Sequence, residues 1–282
     1  MSESIKVLDE RAAGARRLAG KIAIVTGGGQ GHGRATAKRM AQEGATVMIA
    51  ERHEPGAIRT RDELRDFSAT AEIFLGDMSD HATVTRLMAE TKERFGRIDI
   101  LVNVVGGAMS ETGHKLGWEF TPEELEMNVK NNLWTCLYCC WAVMPYMAEQ
   151  RSGAIVNFGS HSVRGTGRLG YAAAKGGVMA ITTSLALEAA PFNVRINAVV
   201  PHLSSRPEGD ALVARIPGRP VTRSAARTAS LTVDNPDYAS IPLGHPGSPE
   251  EVAAAVTFLA SNDASFTTGE ILCVGGGAFC RL

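Results

Sequence analysis

Short apolar runs alternate with helical patterns along almost the whole chain, and this alternation most narrows the folds open to it. KIAIVTG (21–27) reads as a buried strand, followed by a helix over 34–43. TVMIAE (46–51), AEIFLGD (71–77), IDILVNVVG (98–106), GAIVNFGS (153–160), VRINAVVP (194–201) and EILCVGGG (270–277) read as further strands. Between them the pattern predicts helices near 59–68, over 80–95, near 122–148, near 171–190 and over 249–260. Such a series implies a parallel sheet with helices on both faces. Right-handed crossovers make it doubly wound. The expected fold class is α/β, with one domain over 20–282 behind an N-terminal arm at 1–19. Residues 202–247, rich in Pro, Arg and Ser, break the rhythm just beyond a strand's carboxyl end. Ligands bind there in such sheets, so this stretch reads as a substrate lid.

Composition excludes several classes. With 282 residues and a net charge of −1, nothing electrostatic favours nucleic acid or an anionic membrane. The longest apolar helical stretch, 133–147, is too short to span a bilayer and contains Pro145. The N-terminus has no continuous apolar core of a secretory signal. Five cysteines without a framework pattern suggest a reducing, cytoplasmic compartment. Cys136 and Cys139 form a lone CxxC beside Cys140, read as helix packing, and no metal site is expected.

TGGGQGHG (26–33) joins the first strand to the first helix. Gly27, Gly31 and Gly33 let backbone approach a pyrophosphate at the positive helix end, with Gln30 and His32 lining the same turn. Glu51 ends the second strand, where a carboxylate accepts from an adenosine ribose diol and repels a 2′-phosphate. That favours NAD over NADP; neighbouring Arg52 is the counter-signal. Asp77 ends the third strand and reads equally as an adenine contact or as a cap for the helix near 80.

Tyr171 and Lys175 lie four residues apart and so share a helix face. An ammonium beside a phenol favours the phenolate, which makes Tyr171 a candidate general base. The pair follows a strand ending in Ser160. Together with the glycine turn, INAVVP and the closing PEEVAAAVTFLASNDASFTTGEILCVGGG, these residues resemble the short-chain dehydrogenase/reductase family over about residues 19–277. The resemblance implies a single-domain Rossmann fold and a nicotinamide cofactor. It makes Ser160 the holder of the substrate oxygen, Tyr171 the proton-transfer group and Lys175 the ribose contact that tunes Tyr171. It matches Asn132 in KNNLWT to a residue supporting a relay water. Ser162 and Asn131 are the alternatives for the serine and asparagine roles. Asn103, Gly106 and Pro201 complete the implied cofactor contacts. The chain departs from the pattern at His32, at NVVG (103–106), at His202, and at Arg206 and Pro207, where Ser204 or Ser205 is the substitute contact.

Between Ser160 and Tyr171 stand Arg164 and Arg168, and 202–247 adds Arg206, Arg215, Arg219, Arg223 and Arg227. Guanidinium recognises carboxylate through two parallel bonds, so an anionic substrate is one reading and solvated loop cations the other. NVVGGAM, LWTCLYCCWAVMPYM, SVRGTGRLGYAAAKGGVMA and PVTRSAA resemble the cis-dihydrodiol carboxylate dehydrogenases of aromatic-acid degradation, benzoate-diol type. That implies NAD-dependent oxidation of 1,6-dihydroxycyclohexa-2,4-diene-1-carboxylate to a catechol with loss of carbon dioxide, with Arg164, Arg168 and Ser160 on the substrate. Another cis-diol such as a cumate diol, another alcohol or ketone, and a non-catalytic nucleotide-binding protein are the competing readings. The family also implies a homotetramer built on the helices near 122–148 and 171–190.

Overall fold

The computed structural model describes residues 16–66, 69–108, 116–165, 167–202 and 241–278. The N-terminal fifteen residues and most of the expected lid, 203–240 with its five arginines, Ser204 and Ser205, lie outside them. All seven expected strands form: β1 (Ile22–Thr26), β2 (Thr46–Glu51), β3 (Ala71–Leu75), β4 (Ile100–Asn103), β5 (Gly153–Phe158), β6 (Val194–Pro201) and β7 (Ile271–Val274). They make one parallel sheet in the order β3-β2-β1-β4-β5-β6-β7. The order reverses between β1 and β4, which opens a crevice at their carboxyl ends.

Helices cover both faces. They are α1 (Gly31–Gln42), α2 (Glu54–Arg65), α3 (His81–Phe95), α4 (Pro122–Val129), α5 (Thr135–Gln150), α6 (Leu169–Ala189) and α7 (Pro249–Ala260). Side chains alternate across a strand, so each strand feeds two cores. Ala23, Val25, Val47 and Ile49 join Met40, Leu64, Val252 and Val256 under α1, α2 and α7. Ile24, Met48, Leu101 and Ile155 join Met88, Val143, Met147 and Val178 under α3, α5 and α6. Cys136, Cys139 and Cys140 are buried free thiols in that second core, so the CxxC is packing; burial pushes the Cys139 thiol up. Residues at the end of the expected arm are packed too: Leu18 is buried, and Arg17 pairs with Glu43 and Asp263. No helix among the described residues is long and apolar enough to cross a membrane.

Several element boundaries differ from the sequence pattern; contacts explain two of them, and a third element is interrupted. Helix α2 starts at Glu54 rather than near 59, because the His53 ring caps it by accepting from the Gly56 N–H, with Pro55 in the first turn. Strand β4 ends at Asn103 rather than 106, because the N–H groups of Val104 and Val105 turn to the Thr26 hydroxyl. The expected helix over 122–148 is interrupted by a π-helical turn at Lys130–Trp134. The start of α4 is a capping box between Thr121 and Glu124.

Candidate active site

The glycine turn is shaped for a dinucleotide. Gln30 is the extended N-cap of α1 and makes no side-chain cap, and the first turn carries no acid. The positive end of the helix dipole therefore suits an anion at this turn. A Cβ on Gly33 would collide with the carbonyl of Gly27, so only glycine permits this close turn. The buried Glu51 carboxylate is held by three backbone N–H groups: Gly29 at 3.1 Å, Arg52 at 2.8 Å and His53 at 3.1 Å. Nearby basic side chains have partners of their own. Arg34 makes a two-pronged pair with Glu63, and Arg59 donates to the Gly29 carbonyl. His32 sits in the first turn of α1 with its ring 5.8 Å from that of Phe158. Burial pushes its imidazole down to about 4, so it adds no charge near neutral pH.

Asp77 keeps its side chain local, accepting from Ser79 N–H at 2.8 Å. The cap reading for Asp77 is corrected: Asp80 caps α3 through the Thr83 N–H. Asp77 lines a cleft of about 810 Å³ together with Arg52, Asn131, Trp134 and Tyr138. Asn103 is buried at the end of β4. Its amide donates to Asn157 Oδ1 at 2.9 Å, and Asn157 donates on to Thr182, so this side chain ties β4 to β5 and α6.

At the crevice itself the π turn separates the two candidate asparagines. Asn131 donates back to the Met127 carbonyl and faces the cleft with Arg52. Asn132 is fully buried and clamps Gly107, accepting from its N–H at 2.7 Å and donating to its carbonyl at 3.1 Å. Asn132 and Lys175 both crowd Gly106: a Cβ there would fall 2.5 Å from Asn132 Oδ1 and 3.2 Å from Lys175 Nζ. The Lys175 ammonium is buried, donates to the Phe158 carbonyl at 2.7 Å and lies 6.0 Å from the centre of the Tyr171 ring. Asn132, Lys175, Gly106 and Tyr171 thus meet beside the ends of β4 and β5.

Ser160 is buried and begins a 3-10 turn, His161–Arg164, by accepting from the Ser162 N–H at 3.1 Å. Its hydroxyl hydrogen is left for another acceptor. Ser162 is committed elsewhere, since its oxygen accepts from Arg168 Nη1 at 3.2 Å. Arg168 is half-buried at the N-cap of α6, three residues before Tyr171; Arg164 is exposed at the end of the 3-10 turn. Two residues enter the site that the sequence reading did not assign to it. The His161 ring packs at a tilt of 45° against that of His202, centres 4.1 Å apart, and its Nδ1 lies 3.2 Å from the Pro201 carbonyl. Burial and the neighbouring His202 push His161 down to about 4. The available signal was position alone, one histidine directly after Ser160 and one directly after Pro201.

A buried ammonium beside a phenol, a serine hydroxyl and an anion-ready glycine turn together suit proton transfer coupled to a dinucleotide. Comparisons with known proteins agree. A family model described as Enoyl-(Acyl carrier protein) reductase matches residues 27–278. The chain is 38% identical over 93% of its length, and 97% of the relative's, to a 1,6-dihydroxycyclohexa-2,4-diene-1-carboxylate dehydrogenase of Acinetobacter baylyi. It is 34% identical, over 93% of its length and 95% of the relative's, to a 2,3-dihydroxy-2,3-dihydro-p-cumate dehydrogenase of Pseudomonas putida. Among solved structures it is similar to levodione reductase, at 31% identity and a TM-score of 0.79 over 92% of this chain and 98% of that one. The chain is an oxidoreductase and belongs to the short-chain dehydrogenase/reductase family.

Proposed function

We propose that the protein is an NAD-dependent dehydrogenase that oxidises a cis-dihydrodiol carboxylate, 1,6-dihydroxycyclohexa-2,4-diene-1-carboxylate, to a catechol with loss of carbon dioxide. The observation that carries this reading is the half-buried Arg168, between Ser160 and Tyr171 in the sequence, whose guanidinium donates to the Ser162 hydroxyl at 3.2 Å. A cation there fits an acid on the carbon next to the reacting alcohol. The glycine turn, Lys175, Gly106 and Glu51 would hold the dinucleotide. The fixed Glu51 carboxylate, facing the turn, supports NAD over NADP. A bound nicotinamide supplies the hydride acceptor.

The residues of the chain divide the remaining work. The Ser160 hydroxyl donates to the substrate oxygen and holds it beside the phenol. Tyr171, as phenolate, takes the alcohol proton while the carbon–hydrogen bond breaks. The Lys175 ammonium stabilises the phenolate and, by the family resemblance, reaches the nicotinamide ribose. The Asn132 side-chain amide is spent on Gly107 and on the Asn128 carbonyl, and by the family resemblance this residue supports a relay water. The resulting ketone stands β to the carboxylate. Breaking the bond to the carboxylate releases carbon dioxide and leaves its electron pair in an enolate, which takes up one proton, balancing the one Tyr171 removed, and is then the aromatic catechol.

Purified protein incubated with this diol and NAD is expected to form NADH and catechol in equal amounts, with NADP a poorer partner. Tyr171→Phe is expected to lower kcat by about 1000-fold or more, as removal of a proton-transfer group does. Equal binding of NAD without NADH or catechol would sink the substrate assignment. Turnover of an uncharged or cumate-type diol in preference to the acid would favour the alternative substrate.

A further inference from the structure

Arg164 and Arg168 are both candidates for the substrate's acid group, and the structure separates them. Arg164 is exposed, whereas Arg168 is half-buried beside Ser162. A guanidinium carries five N–H donors. Among the described residues Ser162 is the hydrogen-bond partner of Arg168, and no carboxylate pairs with it. From residue 151 to 202 the only acid is Glu188. It lies near the far end of α6, about 30 Å from Arg168 at 1.5 Å per residue. Among the described residues, the other Arg168 donors have no protein acceptor and can take an anion.

What keeps that guanidinium in place is a directional set of contacts. The Pro201 carbonyl can only accept, so His161 Nδ1, 3.2 Å away, is assigned the hydrogen. With the imidazole neutral, Nε2 is then an acceptor, and it faces the Ser162 hydroxyl at 3.5 Å. A hydroxyl that turns its hydrogen toward Nε2 turns its lone pairs toward Arg168. The order of donation is Arg168 to Ser162, Ser162 to His161, and His161 to the end of β6. The His202 ring, tilted at 45° with its centre 4.1 Å away, packs against the His161 imidazole and restricts its rotation. One end of this chain of contacts is anchored on the sheet and the other holds the cation.

We propose that His161 and Ser162 are positioning residues which aim the Arg168 guanidinium at the carboxylate of the substrate, and that Arg168 is the specificity-determining residue. This rests on the acid-diol reading. It also explains why Ser160 and not Ser162 holds the reacting oxygen: the Ser162 hydroxyl is used on both sides. Held this way, the guanidinium loses little freedom when a carboxylate arrives, which favours a low KM.

The test compares the benzoate cis-diol with the uncharged benzene cis-diol. Arg168→Ala is expected to raise KM for the acid about 100-fold, the size of a lost charge-assisted pair, with kcat and the uncharged diol changed far less. His161→Ala is expected to raise KM for the acid about tenfold, with the same selectivity, and His161→Gln, whose carbonyl can replace Nε2 as an acceptor, to recover part of it. An unchanged acid KM in Arg168→Ala, or equal damage to both substrates in His161→Ala, overturns the inference. Calorimetric titration of the NAD-loaded protein with benzoate separates the two readings. Wild type that binds benzoate but oxidises no diol, with binding lost in Arg168→Ala, keeps the anion site and discards the proposed reaction. Wild type that oxidises the acid diol while Arg168→Ala matches it discards the anion site alone. Neither binding nor turnover discards both.

Discussion

Single residues in this site are set by partners far away in sequence. Glu51 and the Tyr171/Lys175 pair are legible from spacing, because strand ends and helix faces have fixed periods. His161 is not legible, since its role comes from Pro201 and His202, 40 and 41 positions on. His32 shows the same limit and has a measurable consequence. Its folded pKa, about 4, lies below the ordinary 6.5 because burial disfavours the charged ring. The unfolded chain therefore binds the proton more readily, and stability falls with pH between those values. It is full above about pH 6.5 and is lost progressively down to about 4. The loss attributable to His32 is of the order of 3 kcal/mol at most. His32→Ile is expected to be no less stable than wild type at pH 7 and increasingly more stable below pH 6. Melting curves from pH 7.5 to 4.5 check this; parallel curves for the two proteins would contradict it.

At the scale of elements, the sequence reads strands better than helix boundaries. The seven apolar runs appear as seven strands because buried parallel strands need continuous apolar residues. Helix starts depend on caps, and α2 is capped by a histidine, outside the usual Ser, Thr, Asp and Asn set. The π turn at Lys130–Trp134 is also hidden, because the helix pattern from 122 on is apolar on more than one face. Such turns occur often at functional sites. Here the turn sends Asn131 to the cleft and Asn132 to Gly107. Asn132→Ala would leave the half-buried Gly107 N–H and the buried Asn128 carbonyl without this partner. The expected cost is about 1–3 kcal/mol of stability and a fall in kcat of tenfold or more, as the segment bearing Gly106 loosens. Denaturant unfolding and kcat measured on the same preparations check both parts. An unchanged kcat would place Asn132 outside the working site.

For the whole molecule, the single chain leaves an aromatic stripe on α5 and the turn before it. Trp134 stacks on Tyr138 at 5.6 Å, His81 packs 5.0 Å from Trp141, and Trp141 is 58% exposed. Positions 134, 138 and 141 follow a helical face. We expect this face to be buried between subunits of a homotetramer, measured by light scattering. Trp141→Glu is expected to shift the protein to a smaller species with a lower Tm, and an unchanged mass would exclude the face from the interface. Sequence by itself determined the alternation that makes the doubly wound sheet, the glycine turn at its crevice and the Tyr171/Lys175 pair, because each is a local period or a local steric demand. Tertiary structure alone decided that Ser162 rather than Ser160 accepts from Arg168, that Asn132 rather than Asn131 meets Gly107, and that His161 stands between Ser162 and the end of β6. Those choices depend on contacts between the ends of separate strands and helices, and folding brings these groups within hydrogen-bond distance while the linear order carries no record of it.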